Sequence, residues 1–234
     1  MFFIDPVYLI LMAPVLLFSL YAQAKVKSSY KKYANLPSGS GVTGAQAARA
    51  LLDRCGLSEV AIEEVPGTLS DHYDSRTKVL RLSSNVHNGT SLAALGVAAH
   101  ESGHAAQDKT GYVPMRIRAG LVPVANLGSQ LALPIFFVGL MVVGWFNSPF
   151  GGVIMTAAII IFAAAVFFQI VTLPVEYNAS RRGLAMLLDT GLIGSEEAGP
   201  VKKVLGAAAL TYVAAAASAL MTLLYMIIRS RDDE

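Results

Sequence analysis

Cysteine is nearly absent from this chain of 234 residues: Cys55 stands alone. No disulfide can close within the chain, and no thiolate zinc cluster can be built. Cys55 itself reads as a small apolar residue at the end of a helix. Charge is scarce as well, with 15% of residues charged and a net charge of +2. That balance is too weak to hold a polyanion, and no stretch interleaves basic with aromatic residues, so nucleic acid is not an expected partner. A second aspartate triplet is also lacking. Asp189-Thr190-Gly191 matches the triplet of proteases in which two carboxylates share a proton, but a single copy cannot run that chemistry, and a helix end with Gly191 at the cap is the simpler reading.

The residues that are abundant are apolar, at 54% of the chain, more than a water-soluble fold can hide. They fall into four long runs, which predicts a mainly α, polytopic membrane protein with four transmembrane helices. The first run, Pro6 to Ala22 with Phe2 to Ile4 ahead of it, is followed by Lys25, Lys27, Lys31 and Lys32. A cleaved signal carries its positive charge before the apolar core, so this run reads as a retained anchor. The second run spans about Leu121 to Trp145 and the third about Val153 to Val171; the short link between them requires a tight hairpin across the bilayer. The fourth is Val204 to Ile228, ending in a tail from Arg229 to Glu234.

Five segments follow: a transmembrane helix over 1–24, a polar domain over 25–118, a transmembrane hairpin over 119–174, a second polar segment over 175–203, and a fourth transmembrane helix with its tail over 204–234. Lys25, Lys27, Lys31, Lys32, Arg116, Arg118, Arg181, Arg182, Lys202 and Lys203 flank the runs on one side, against Arg229 and Arg231 on the other. This asymmetry puts both polar segments in the cytoplasm and both termini outside.

Within the first polar domain, Thr43 is placed to cap a helix from Ala45 to Cys55 that Gly56 ends. Val60 to Val65, Thr68 to Tyr73 and Lys78 to Leu82 read as short strands, the last two joined by a turn over residues 74–77. A helix capped by Thr90 or Ser91 then runs from Leu92 to Gln107. The strand Lys78 to Leu82 leads into that helix and is the expected edge for an extended substrate to pair with.

The helix carries His100-Glu101-Ser102-Gly103-His104, the HExxH pattern. Residues i and i+4 share one helix face, so both imidazoles can reach one zinc ion, while Glu101 lies beside that face within reach of a water on the metal. Zinc draws the pKa of such a water towards about 7, and a neighbouring carboxylate can take its proton as it attacks a peptide carbonyl. The small residues Ala98, Ala99, Gly103, Ala105 and Ala106 let other backbone pack close to the motif. A catalytic zinc needs a third protein ligand and an open position. His72, His87, Glu63, Glu64 and Glu176 are the candidates, and topology favours Glu176, because the hairpin returns the chain at about Pro174 to the face from which the motif helix left.

The motif, Asp71-His72-Tyr73-Asp74 and Val79-Leu80-Arg81-Leu82 before it, and Glu176-Tyr-Asn-Ala-Ser180-Arg-Arg after it, together resemble the bacterial YugP-type zinc metallopeptidases over nearly the whole chain. The resemblance implies a gluzincin site in which Glu176 completes the ligand set for one zinc ion, carried by a small α+β zincin-like unit. In the familiar gluzincin pattern, ExxxD, the aspartate orients a histidine ligand; here that position is Ser180, whose hydroxyl accepts an imidazole N–H more weakly than a carboxylate. Arg181 is a candidate to hold a carbonyl oxygen or neighbouring backbone, the plainer reading of Arg181 and Arg182 is an interfacial anchor pair, and that reading is favoured for Arg182. His72 is placed to touch substrate or cap a turn. Tyr212, inside the fourth run, could donate to an oxyanion or bond a neighbouring helix.

The expected activity is that of an integral-membrane zinc endopeptidase of the cell membrane, with its active site at the cytoplasmic face. Its partners would be peptide or membrane-protein substrates and the lipid bilayer; a homo-oligomer is compatible with the sequence. Two alternatives remain in view. One is an intramembrane protease whose motif helix crosses the bilayer, for which Leu92 to Gln107 is too short. The other is a non-catalytic scaffold or chaperone holding a metal, which leaves Glu101 without a task.

Overall fold

A computed structural model of the protein describes residues 5–232; Phe2 to Ile4 of the first apolar run and the last two residues of the tail lie outside them. In chain order the elements are α1 (Pro6–Ala34), α2 (Gly44–Arg54), β1 (Ala61–Val65), β2 (His72–Asp74), β3 (Val79–Ser83), α3 (Ser84–His87), α4 (Leu92–Lys109), α5 (Val113–Phe146), α6 (Phe150–Asp189) and α7 (Ala198–Asp232). Helices α1, α5, α6 and α7 are long and apolar enough to cross a membrane, so the protein is a mainly α, polytopic membrane protein with a small sheet. Chain contacts divide it into two units. One comprises the described residues of 1–21, 117–173 and 212–234; the other comprises 22–116 and 174–211.

The first unit holds the apolar parts of the four long helices. Phe136 and Leu140 of α5, Met155 and Phe162 of α6, and Met226 of α7 form its core. Leu17, Phe137, Ile160 and Phe167 are exposed instead, an apolar surface that lipid accepts and water penalises.

In the second unit, local signals set the ends of the helices. Thr43 closes a capping box on α2: the Gln46 N–H donates to Thr43 Oγ1 at 3.2 Å and the Thr43 N–H to Gln46 Oε1 at 2.9 Å. Cys55 is the C-cap, its thiol 3.3 Å from Met186 Sδ. Ser91, rather than Thr90, caps α4 through the Ala94 N–H at 3.2 Å, and Gly191, at φ +69°, follows the end of α6. The strand order is β1-β3-β2, with β1 parallel to β3 and β2 antiparallel to it. This corrects the expectation that the strand from Lys78 to Leu82 is an edge. Val79, Leu80 and Leu82 are all buried, as a strand paired on both sides and covered by helices requires. The free edges belong to β1 and β2, and β2 is only the last part of the strand expected from Thr68.

The second polar segment begins inside a helix. Helix α6 runs unbroken through Pro174 and continues to Asp189. Hydropathy marks where lipid contact stops, not where the helix stops; polar side chains past Pro174 stay helical because they find partners on α4, as described below.

Helix α4 is buried on nearly all sides. One flank packs with Ala47, Leu51, Leu187, Val201 and Leu205, the other with Leu52, Val60, Leu80, Leu82 and Val86. Its crossing with α6 is backbone to backbone. A Cβ on Gly103 would stand 2.4 Å from the Ala179 carbonyl oxygen, and one on Gly183 would stand 2.5 Å from that of Ala99. Neither carbonyl can swing aside without moving its helix. Gly103→Ala is therefore expected to lower stability by about 1–3 kcal/mol, read as a lower thermal midpoint of the detergent-solubilised protein; an unchanged midpoint would contradict so close a crossing.

Candidate metal centre

The glycine-mediated crossing lays Glu176 and Ser180 of α6 over His100 and His104 of α4. Glu176 Oε2 lies 3.1 Å from His100 Nε2 and 3.5 Å from His104 Nε2, and the three donor atoms lie within 4.8 Å of one another. A tetrahedral metal with bonds of about 2.0–2.1 Å separates its ligands by roughly 3.3–3.4 Å, so the two observed separations bracket a zinc-sized edge. Among the described residues this is the only cluster of three His, Cys, Asp or Glu groups so disposed.

The hydrogen bonding behind the donors tests the fit independently. His104 Nδ1 lies 3.0 Å from Gln107 Oε1, an oxygen that only accepts, so Nδ1 carries a proton and Nε2 is the nitrogen that faces Glu176. Two imidazole nitrogens converging on one buried carboxylate call for positive charge among them, from a proton or a metal ion. The donor set therefore fits a divalent metal. On the other imidazole, His100 Nδ1 is 3.0 Å from Ser180 Oγ.

Glu101 is buried beside this triangle and does not join it; its Oε2 accepts the backbone N–H of Tyr73 at 3.0 Å. Burial pushes its carboxyl up to about 7; Glu176 and Asp71 add to the rise, while His100 and the Tyr73 N–H oppose it. A cation in the triangle would favour the ionised form. Because Tyr73 sits on β2, the edge strand reaches the carboxylate directly.

The other candidates lie as follows. His72 is exposed on β2, its Nδ1 2.9 Å from the Ser70 carbonyl. His87 pairs with Asn88 and Glu64, and Glu63 pairs with Arg81, so none of these joins the triangle. Arg181 is exposed and lines a cavity of 640 Å³ with Ser180, Tyr177 and Lys202. Tyr212 belongs to the other unit and is half-buried on α7. Arg182 is more than an interfacial anchor: its Nε donates to Asn178 Oδ1 at 2.8 Å. Sequence reasoning missed Gln107, Asn178 and the Tyr73 amide. For Gln107 a signal existed, a lone amide side chain one turn beyond His104 in a run of alanines.

A family model described as "Putative neutral zinc metallopeptidase" matches residues 8–231. The chain belongs to that family. It is also 45% identical, over 218 residues, to a Bacillus subtilis (strain 168) protein named "Putative membrane protease YugP", a match covering 92% of this chain and 94% of the relative. No solved structure matches the chain. Membership of a zinc metallopeptidase family makes zinc the implied metal, and the four long apolar helices make this member a membrane protein.

Proposed function

We propose that this metallopeptidase is a zinc-dependent endopeptidase that cuts peptide bonds in membrane or membrane-adjacent proteins, with Glu101 as the base. The observation that carries the reading is a buried carboxylate that is not a member of the donor triangle but abuts it, held by the edge strand at one oxygen. His100 Nε2, His104 Nε2 and Glu176 Oε2 would hold one zinc ion. When bound, zinc supplies Lewis acidity, drawing the pKa of a coordinated water towards about 7 and polarising a carbonyl.

The chain's own residues do the rest. The Tyr73 N–H fixes Glu101 Oε2, which leaves Oε1 to take a proton from water as its oxygen bonds to the peptide carbon. Glu101 then gives that proton to the departing nitrogen as the C–N bond breaks, yielding a carboxylic acid and an amine, which then exchange a proton to become a carboxylate and an ammonium. Ser180 Oγ steadies His100. An extended peptide would find its backbone partners on β2, the free strand edge that reaches Glu101. The Lys and Arg asymmetry supports a cytoplasmic face for this site in the cell membrane.

Three outcomes follow. Glu101→Gln retains zinc but loses peptide cleavage, whereas His104→Ala loses both, as measured by metal analysis and digestion of a mixed peptide library; cleavage surviving in Glu101→Gln would remove the base. Ser180→Ala weakens zinc binding by about tenfold in a chelator competition, and unchanged affinity would show that the hydroxyl does not support His100. For orientation, Ser40→Cys in a Cys55→Ser background reacts with an impermeant thiol reagent in inside-out vesicles and not in intact cells; the reverse pattern would place the site outside.

A further inference from the structure

Resting on that ligand set, we infer that His104 is locked in its metal-ready tautomer by a polar relay running through Gln107 and Asn178 to Arg182, which makes these three positioning residues for the metal. The relay can be read without ambiguity because one end has a fixed sense. A guanidinium donates and never accepts, so Arg182 Nε, 2.8 Å from Asn178 Oδ1, fixes that atom as the amide oxygen. The same oxygen lies 3.0 Å from Gln107 Nε2, which must therefore be the amide nitrogen. The second N–H of that nitrogen donates to the Val175 carbonyl at 2.8 Å. Both donors of Gln107 are then used on acceptors, its oxygen is left to face His104 Nδ1 at 3.0 Å, and the proton of the imidazole is forced onto Nδ1. Nε2, the atom turned towards Glu176, is left as the nitrogen with which a metal can bond.

Burial makes the relay stiff. Gln107 is fully buried, and rotating its amide would set oxygen against two oxygens and nitrogen against an N–H, at a cost of several unmade bonds in a dry environment. Arg182 is pinned in turn by the Thr110 hydroxyl at 3.3 Å, the Ala106 carbonyl at 3.5 Å and the face of Tyr112 at 5.8 Å. Those groups end the motif helix, so the relay leaves α4 at Gln107, crosses to α6 and returns to α4 two turns past the ligand. The support of His100 is of another kind. Ser180 Oγ can donate or accept by rotating its proton, so it steadies the ring without choosing the tautomer.

The test uses the full chain purified in detergent, with zinc affinity measured by competition with a chromophoric chelator and with 15N shifts of labelled histidine read on the zinc-loaded protein. Gln107→Leu should raise the zinc Kd by about 10–100-fold. Asn178→Asp keeps the acceptor and Arg182→Lys keeps a donor-only group, so both should bind zinc like the wild type, with His104 still protonated at Nδ1. Arg182→Gln, which can present either sense, should bind more weakly than Arg182→Lys. Equal affinities for these two Arg182 variants would overturn the relay even if Gln107→Leu failed to fold, as would wild-type affinity in a folded Gln107→Leu or a shift showing Nδ1 of His104 without its proton. If His104→Ala bound as much zinc as the wild type, the ligand set itself would fall and the relay with it; if His104 were required and Gln107→Leu were unchanged, only the relay would fall.

Discussion

The centre depends on how closely α4 and α6 can approach. At an ordinary interaxial separation of about 8–10 Å, side chains stand between two helices and a short carboxylate on one reaches the ligands on the other only by chance. Here Gly103 and Gly183 remove the side chains at the crossing, each against the carbonyl of an alanine on the opposite helix. With the two backbones in contact, Glu176 and Ser180 both meet His100, and Gln107 meets Val175 and Asn178. Those polar contacts in turn hold the end of α6 that extends beyond the apolar run.

Such a crossing buries polar groups at high density. Glu176, His104, Glu101 and Gln107 are all nearly or wholly shut off from solvent, where unmatched polarity costs far more than it does in water. The groups around the rim satisfy one another, and at the centre two imidazole nitrogens converge on one carboxylate. A divalent cation held there would offset that crowding of polar groups, and its binding free energy would also be folding free energy. Glu101 sits just outside the triangle, tied to β2, which keeps the proposed base apart from the proposed ligands.

Much of this was legible in the sequence because the HExxH spacing and the helix period are the same physical fact: His100 and His104 must share a face. The alanines and glycine around them announced close packing, and the return of the hairpin pointed to Glu176. Hydropathy found the four long helices but carried no sign that α6 continues to Asp189, since it responds to lipid and not to hydrogen bonding. Strand order was invisible: Lys78 to Leu82 read as an edge, whereas β3 is paired on both sides in the middle of the sheet. Asn178 and the Tyr73 amide escaped because the contacts that matter lie far along the chain or are main-chain atoms, for which composition carries no signal, while Gln107, one turn beyond His104, was overlooked.

X-ray absorption at the zinc edge of the purified protein measures the central claim directly. The account predicts one zinc per chain with two imidazoles and oxygen donors at about 2.0–2.1 Å. A spectrum showing a single imidazole, none, or a sulfur ligand from Cys55 would contradict it.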